Sequence, residues 1–165
     1  MSRATQYLEQ QLWSQGVRFV AGVDEAGRGA WAGPLVAACV IMPESPRLKG
    51  IKDSKLIPEP KRGPLCVKVT ETALDWAVGV VSVEEIDLYG VHQANAEAMR
   101  RALRALTLTP DHVLADGKFG FDLQAPTTWV VGGDAQSYTI ACASIIAKVT
   151  RDRLMLELHE QFPQY

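Results

Sequence analysis

Apolar positions along this chain cluster in two ways. Five short runs, at residues 19–23, 35–42, 76–83, 112–115 and 128–131, are mostly apolar and bounded by turn-forming or polar residues, which predicts β-strands. Longer stretches space their apolar residues at helical intervals. Tyr7, Leu8, Leu12 and Trp13 predict a short helix over residues 4–15. Val91, Ala94, Ala98, Ala102 and Leu106 predict a better one over residues 91–106, and Pro110 enforces the break that follows. A last helix is predicted over residues 135–162. Ser82, with Glu85 three residues on, has the form of a capping box, so a short helix is predicted to start there. Residues 43–64 carry prolines at 43, 46, 58, 60 and 64 and read as loop, with helix predicted only after Pro60.

The segment from Gly27 to Pro34 is long for a two-residue hairpin but short enough to join antiparallel neighbours. Three strands, helices, strand, strand and helix in that order predict an α/β architecture: a mixed five-stranded sheet flanked by helices.

Composition narrows the class. With 165 residues, one domain spanning 1–165 is the natural reading. Apolar content of 47% and charged content of 22% are ordinary for a globular protein, and the net charge of −2 carries no basic signature of nucleic-acid binding. An acidic metal site would lower that balance while local basic groups still met phosphates. Cys39, Cys66 and Cys142 form no CxxC pair and read as buried free thiols, as in a reducing cytosol. No run of about 18 apolar residues predicts a membrane span. The first residues lack the apolar core of a signal peptide, so a cytoplasmic monomer is expected.

The chemistry concentrates in Gly22-Val23-Asp24-Glu25-Ala26-Gly27-Arg28-Gly29. A carboxylate at a strand end is a hard ligand for Mg²⁺ or Mn²⁺. A turn flanked by glycines approaches a ligand closely, and its arginine can fork onto phosphate. Asp116 and Asp134 repeat the placement, each after an apolar segment and beside a glycine. In an α/β sheet, sites gather beyond strand ends. A lone acid there is usually just solvated or caps a helix, and Asp134 would also suit the N-cap of the last helix. Glu25 poses a geometric problem, because adjacent strand residues point to opposite faces. Either the strand ends or bulges, or one of the two acids ligates through its backbone carbonyl. Two divalent ions about 3.5–4 Å apart fit four acids. His92, His112 and His159 have no ligand spacing and read as surface or partly buried. Trp31 could stack on nucleic acid or fill a core gap.

These residues also resemble a known family. Asp24-Glu25-Ala26-Gly27-Arg28-Gly29, then Lys52-Asp53-Ser54-Lys55, Leu114-Ala115-Asp116-Gly117-Lys118, and Gly132-Gly133-Asp134 with residues 143–152 are similar, in order, to the motifs of type 2 ribonuclease H, ribonuclease HII. The resemblance runs from about residue 19 to the end of the chain. It implies a ribonuclease H fold, an antiparallel meander continued by parallel strands. It implies hydrolysis of the RNA strand of RNA–DNA hybrids and cutting at ribonucleotides embedded in duplex DNA, with 5′-phosphate and 3′-hydroxyl products. Asp24, Glu25, Asp116 and Asp134 would be the catalytic metal ligands. The backbone of Gly27, Arg28 and Gly29 would read the 2′-hydroxyl, and Ser54 and Lys55 would hold a neighbouring phosphate.

Some features depart from the family. Its sequences continue into a glycine-histidine-lysine-glycine-tyrosine stretch and C-terminal helices, which are missing here. A C-terminal truncation is therefore expected, and Tyr165 is not that tyrosine. Leu56 replaces a lysine, and Gly90 stands where asparagine is common. Lys148 would lie ~20 Å along a straight helix from Asp134, making a distant phosphate contact or a structural ion pair. The rival reading is a non-catalytic hybrid-binding remnant. Type 3 ribonuclease H is the nearer alternative, but its N-terminal substrate-binding domain is not expected, because Asp24 falls so early.

Overall fold

The protein is seen here as a computed structural model that describes residues 4–46 and 48–164. Tyr165 and residues 1–3, which entered the sequence reading, lie outside the described residues. Helix α1 (Tyr7–Ser14) precedes strands β1 (Val20–Ala26) and β2 (Leu35–Ile41). A short turn of 3-10 helix (Ser54–Leu56) then leads into α2 (Glu59–Thr72), β3 (Asp75–Val81), α3 (Val83–Arg104), β4 (His112–Asp116) and β5 (Thr127–Val130). A second such turn (Gly133–Ala135) precedes α4 (Tyr138–Gln161). The sheet order is β3-β2-β1-β4-β5. β1, β2 and β3 pair antiparallel, whereas β4 pairs parallel with both β1 and β5. The predicted mixed five-stranded sheet is present, and the 27–34 connection does join antiparallel neighbours.

Both faces of the sheet are covered, so the interior strand β2 is buried at every residue and reads as one apolar run. Its side chains still alternate. Ala38 and Val40 pack with α4 and α2, and Ala37, Cys39 and Ile41 pack with α3. On β1, Ala21 and Val23 also belong to the α3 side. Gly22, between them, faces α4 at a separation that no side chain would allow: a Cβ there would sit 2.4 Å from the Thr139 carbonyl carbon. That contact seats the start of α4 against β1.

Several predicted boundaries moved. β1 runs three residues beyond the predicted end, through both acids to Ala26, because pairing with β2 continues as far as Ala26–Val36. The two helices predicted after β3 form α3, broken at Gly90 by a non-helical conformation (φ 78°, ψ 153°). Its start carries the predicted box, with Ser82 Oγ accepting from Glu85 N and Glu85 Oε2 from Ser82 N. α2 begins at Glu59, with Pro60 in its first turn, where a proline lacks nothing the helix needs. The last helix begins at Tyr138 rather than 135, and Ser137 is its cap, accepting from Ile140 N at 3.1 Å.

That cap has an unforeseen partner. Glu9 of α1 is fully buried, and its Oε1 accepts from Ser137 Oγ at 2.6 Å and Thr139 N at 2.9 Å. A carboxylate here meets otherwise unpaired N–H groups and the positive end of the helix dipole. Cys39 and Cys142 are buried free thiols as expected; Cys66 is only half-buried. No described helix is long and apolar enough to cross a membrane.

Candidate active site

Pairing between β1 and β4 stops at Val23–Ala115, and the two strands part just before Asp24 and Asp116. The acids line the opening. Asp24 Oδ1 accepts from the Glu25 backbone N–H at 2.7 Å, so its side chain folds forward along the strand. Glu25, of opposite facing, reaches the same place with its longer side chain. One carboxylate oxygen from each of Asp24, Glu25 and Asp116 lies within 4.8 Å of the other two. The problem posed by adjacent strand residues is thus resolved at the strand tip, with β1 still in regular register with β2. Asp116 Oδ1 also accepts from Gly133 N at 2.6 Å, which ties β4 to the turn bearing Asp134.

This crowding is costly. Asp24 is buried, and burial followed by Glu25 and Asp116 raises its carboxyl well above the usual range. Burial and then Asp116 push Glu25 up to about 7, partly offset by Arg28 and Lys55. Asp134 is held apart from the close triad. It rises to about 6 through burial and the like charges of Asp53 and Asp116, with Lys55 pulling it down. Glu25 Oε2 is buried with no hydrogen-bond partner. An orphaned carboxylate oxygen among all-oxygen donors suits a hard divalent cation, which would supply the missing positive charge. Asp24, Glu25 and Asp116 could hold such an ion.

The acids open into a cleft of about 660 Å³. The Gly27-Arg28-Gly29 turn, Ser54, Lys55, Asp134, Lys148 and Arg151 line it together with Asp24 and Glu25, and Asp116 joins them through the carboxylate cluster. Ser54 is buried beneath the rim, and its N–H donates to Ser144 Oγ at 3.3 Å. Lys148 lines the same cleft as Asp134. The turn at Gly133–Ala135 is separate from α4, and Ser137 between them is extended. The Lys148 ammonium is nonetheless committed to Asp152 at 2.5 Å, the structural ion pair foreseen as one alternative. Trp31 is fully exposed, which removes the core-filling reading.

Two supports of the turn went unassigned in the sequence. Arg151 donates through Nε to Pro34 O at 3.0 Å and through Nη2 to Ala32 O at 2.8 Å, clamping the 27–34 segment onto α4. Gly27 (φ 101°) packs on that clamp: a Cβ there would meet Arg151 Nε at 2.3 Å. The hints available were that Arg151 lies in the 143–152 segment that resembles the family and three residues after Lys148, on the same side of a helix. Arg28 is placed by Phe119, whose ring centroid lies 4.0 Å from the guanidinium carbon. Phe119 in turn stacks on Phe121 at 5.1 Å and meets the edge of Trp129 at 5.7 Å.

The sequence model described as ribonuclease HII matches residues 21–165. The chain belongs to the ribonuclease HII family. Ribonuclease HII of Myxococcus xanthus is 46% identical over 158 residues, covering 95% of this chain and 54% of that protein. Ribonuclease HII of Moorella thermoacetica is 49% identical over 157 residues, covering 95% of this chain and 76% of that one. Among solved structures, ribonuclease H2 from Pyrococcus horikoshii superposes with a TM-score of 0.77 at 31% identity, over 88% of this chain and 77% of the other. The ribonuclease HII in a complex with PCNA from Archaeoglobus fulgidus gives 0.77 at 30% identity, over 88% and 78%. The ribonuclease H-like fold of this ribonuclease HII chain follows from those superpositions. Against several curated ribonuclease HII relatives the chain spans little more than half to about two-thirds of their length.

Proposed function

We propose that this chain is a metal-dependent endonuclease. It hydrolyses the RNA strand of RNA–DNA hybrids and cuts at ribonucleotides embedded in duplex DNA, leaving 5′-phosphate and 3′-hydroxyl ends. The observation that carries the reading is the meeting of the Asp24, Glu25 and Asp116 carboxylates at the mouth of a cleft walled by the glycine-arginine-glycine turn. Membership of the ribonuclease HII family supports it.

Asp24, Glu25 and Asp116 would hold the metal, with Asp134 as the fourth acid lining the same cleft. The chemistry that bound Mg²⁺ or Mn²⁺ ions supply is a water of lowered pKa and positive charge beside the leaving 3′ oxygen. The rest falls to the chain. The backbone of Gly27, Arg28 and Gly29 meets the 2′-hydroxyl, the group that separates RNA from DNA. Only a turn with little side chain comes close enough, and Arg151 holds that turn against displacement. Arg28 and Lys55 oppose the phosphate charge, and Ser54 positions one phosphate by hydrogen bonding. The unit acts as one catalytic domain, monomeric and cytoplasmic, in keeping with its three free thiols.

The test is cleavage of a duplex carrying one embedded ribonucleotide, beside an all-DNA control, with Mg²⁺, with Mn²⁺ and with chelator. Metal-dependent cutting at the ribonucleotide only, with the stated ends, is expected. Tight binding of hybrid without turnover in either metal would replace this reading by that of a non-catalytic hybrid-binding protein.

A further inference from the structure

The chain as a whole is slightly acidic, with 17 basic and 19 acidic residues, but its charge is unevenly placed. Residues 48–70 hold six basic residues against two acidic ones. Four of the six, Lys49, Lys52, Lys61 and Lys68, line a groove of about 530 Å³ between the 49–52 loop and α2, with Pro60 and Leu65 also in its lining. The two acids of the stretch are not part of that lining. Asp53 accepts from Lys55 N, and its like charge acts on Asp134 of the cleft. Glu59 is exposed at the start of α2. Among the described residues none of the four lysines has an ion-pair partner.

The groove is continuous with the active site along the chain. Lys52 precedes Ser54 and Lys55, which line the cleft, by two and three residues. The start of α2 is fastened to the same turn, since Arg62 Nε donates to Ser54 O and to Ile57 O, each at 3.0 Å. Lys61 and Lys68 are seven residues apart in α2, on one face and ~10.5 Å apart along its axis. Mutually repelling, unpaired ammonium groups on a fixed scaffold suit a linear polyanion.

We propose that Lys49, Lys52, Lys61 and Lys68 form a second phosphate-binding groove, which grips the backbone of the nucleic-acid duplex beyond the segment held in the cleft. The inference rests on the nuclease reading for its choice of polyanion. An anionic membrane surface is the competing occupant. Nucleic acid is favoured because the groove adjoins Ser54 and Lys55 through a rigid turn, so a strand leaving the cleft meets it directly.

The test is the salt dependence of binding, measured by fluorescence anisotropy of end-labelled hybrids in chelator between roughly 50 and 200 mM salt. Two lengths are used, roughly 8 and roughly 24 base pairs, spanning about 27 and 80 Å at a rise of about 3.4 Å. For the long hybrid, Lys61→Gln with Lys68→Gln should lower the slope of log affinity against log salt by roughly 2, since each phosphate left unneutralised keeps its condensed counterion. The short hybrid should show little change. Lys61→Arg with Lys68→Arg should keep the wild-type slope. Arg104→Gln with Arg153→Gln, an equal loss of charge elsewhere, should also keep it. Unchanged slopes in the glutamine pair, or an equal fall in the Arg104 and Arg153 control, would overturn the proposal. So would loss of binding to vesicles of equimolar phosphatidylglycerol and phosphatidylcholine with hybrid binding intact. A wild-type chain that binds the long duplex with the full slope but never cuts it would sink the nuclease reading and leave the groove standing.

Discussion

Replacing Asp24 by asparagine should make the metal-free protein more stable at neutral and alkaline pH, although Asp24 is buried. Its carboxylate shares a space with those of Glu25 and Asp116, within 4.8 Å. At that distance two like charges repel by roughly 3 kcal/mol at an effective dielectric constant of about 20. The cost shows in Asp24, raised well above its usual range by burial first and then by Glu25 and Asp116. Glu25, lifted from 4.5 to about 7 by burial first and Asp116 second, gives the scale of such crowding, about 3 kcal/mol between its two protonation states. Asparagine keeps the shape and leaves Oδ1 to accept the Glu25 N–H, but it removes one buried charge and two repulsive pairs. Part of the repulsion is already relieved in the wild type by proton uptake, and the new Nδ2 needs a partner. A net gain of about 1–3 kcal/mol at about pH 8 is therefore expected, or roughly 3–10 °C in Tm for a chain of this size. The sign with pH follows from the direction of the shifts. Carboxyls raised in the folded state add stability that is fully present below their unfolded values, near 4, and is lost as pH rises through the folded ones, about 7 for Glu25 and about 6 for Asp134. The advantage of the variant should thus be small at about pH 4 and open between about 4.5 and 7. Thermal unfolding followed by circular dichroism in chelator, across pH, measures it. Millimolar Mg²⁺ or Mn²⁺ should raise the Tm of the wild type and leave that of Asp24→Asn nearly unmoved. A variant less stable than wild type at pH 8 without metal, or a difference independent of pH, would refute the reasoning.

Gly27→Ala should destabilise the turn by about 1–3 kcal/mol and reduce hybrid cleavage more than 10-fold, since its φ of 101° disfavours a side chain and the new Cβ meets Arg151. Unaltered cleavage rates would show that the turn need not hold its shape. Phe119→Leu should free Arg28 at a cost of about 1 kcal/mol, visible as a several-fold rise in KM that Phe119→Tyr does not cause and that vanishes in an Arg28→Ala background. Glu9→Ala should lower stability by about 2–4 kcal/mol in chemical denaturation, by uncapping α4 and leaving buried donors unpaired; a loss under about 0.5 kcal/mol would mean water replaces it.

Local pattern was enough for the elements. The runs at 35–42 and 76–83 became β2 and β3 because such strands are recognised by short apolar stretches, whatever they pack against. The capping box at Ser82 was legible because all of its atoms lie within four residues. The acids were legible as candidates for the same reason, Asp116 and Asp134 by an adjoining glycine and a preceding apolar run, Asp24 and Glu25 by the apolar run before them and the Gly27-Arg28-Gly29 turn after. What one-dimensional spacing does not carry is the meeting of distant segments. Whether Asp24 and Glu25 share a site depended on where β4 leaves β1, at Val23–Ala115, since that parting lets two oppositely facing side chains turn toward one point. Arg151 became the clamp of the 27–34 segment only because α4 crosses β1 at Gly22. Glu9 became a buried cap only because α1 docks on the start of α4, where a charge that sequence would leave in water finds its hydrogen bonds. Turns, caps and strand ends are written in neighbouring residues, whereas burial, charge crowding and the supports of the site arise between residues tens to more than a hundred positions apart, and only the folded chain brings those together.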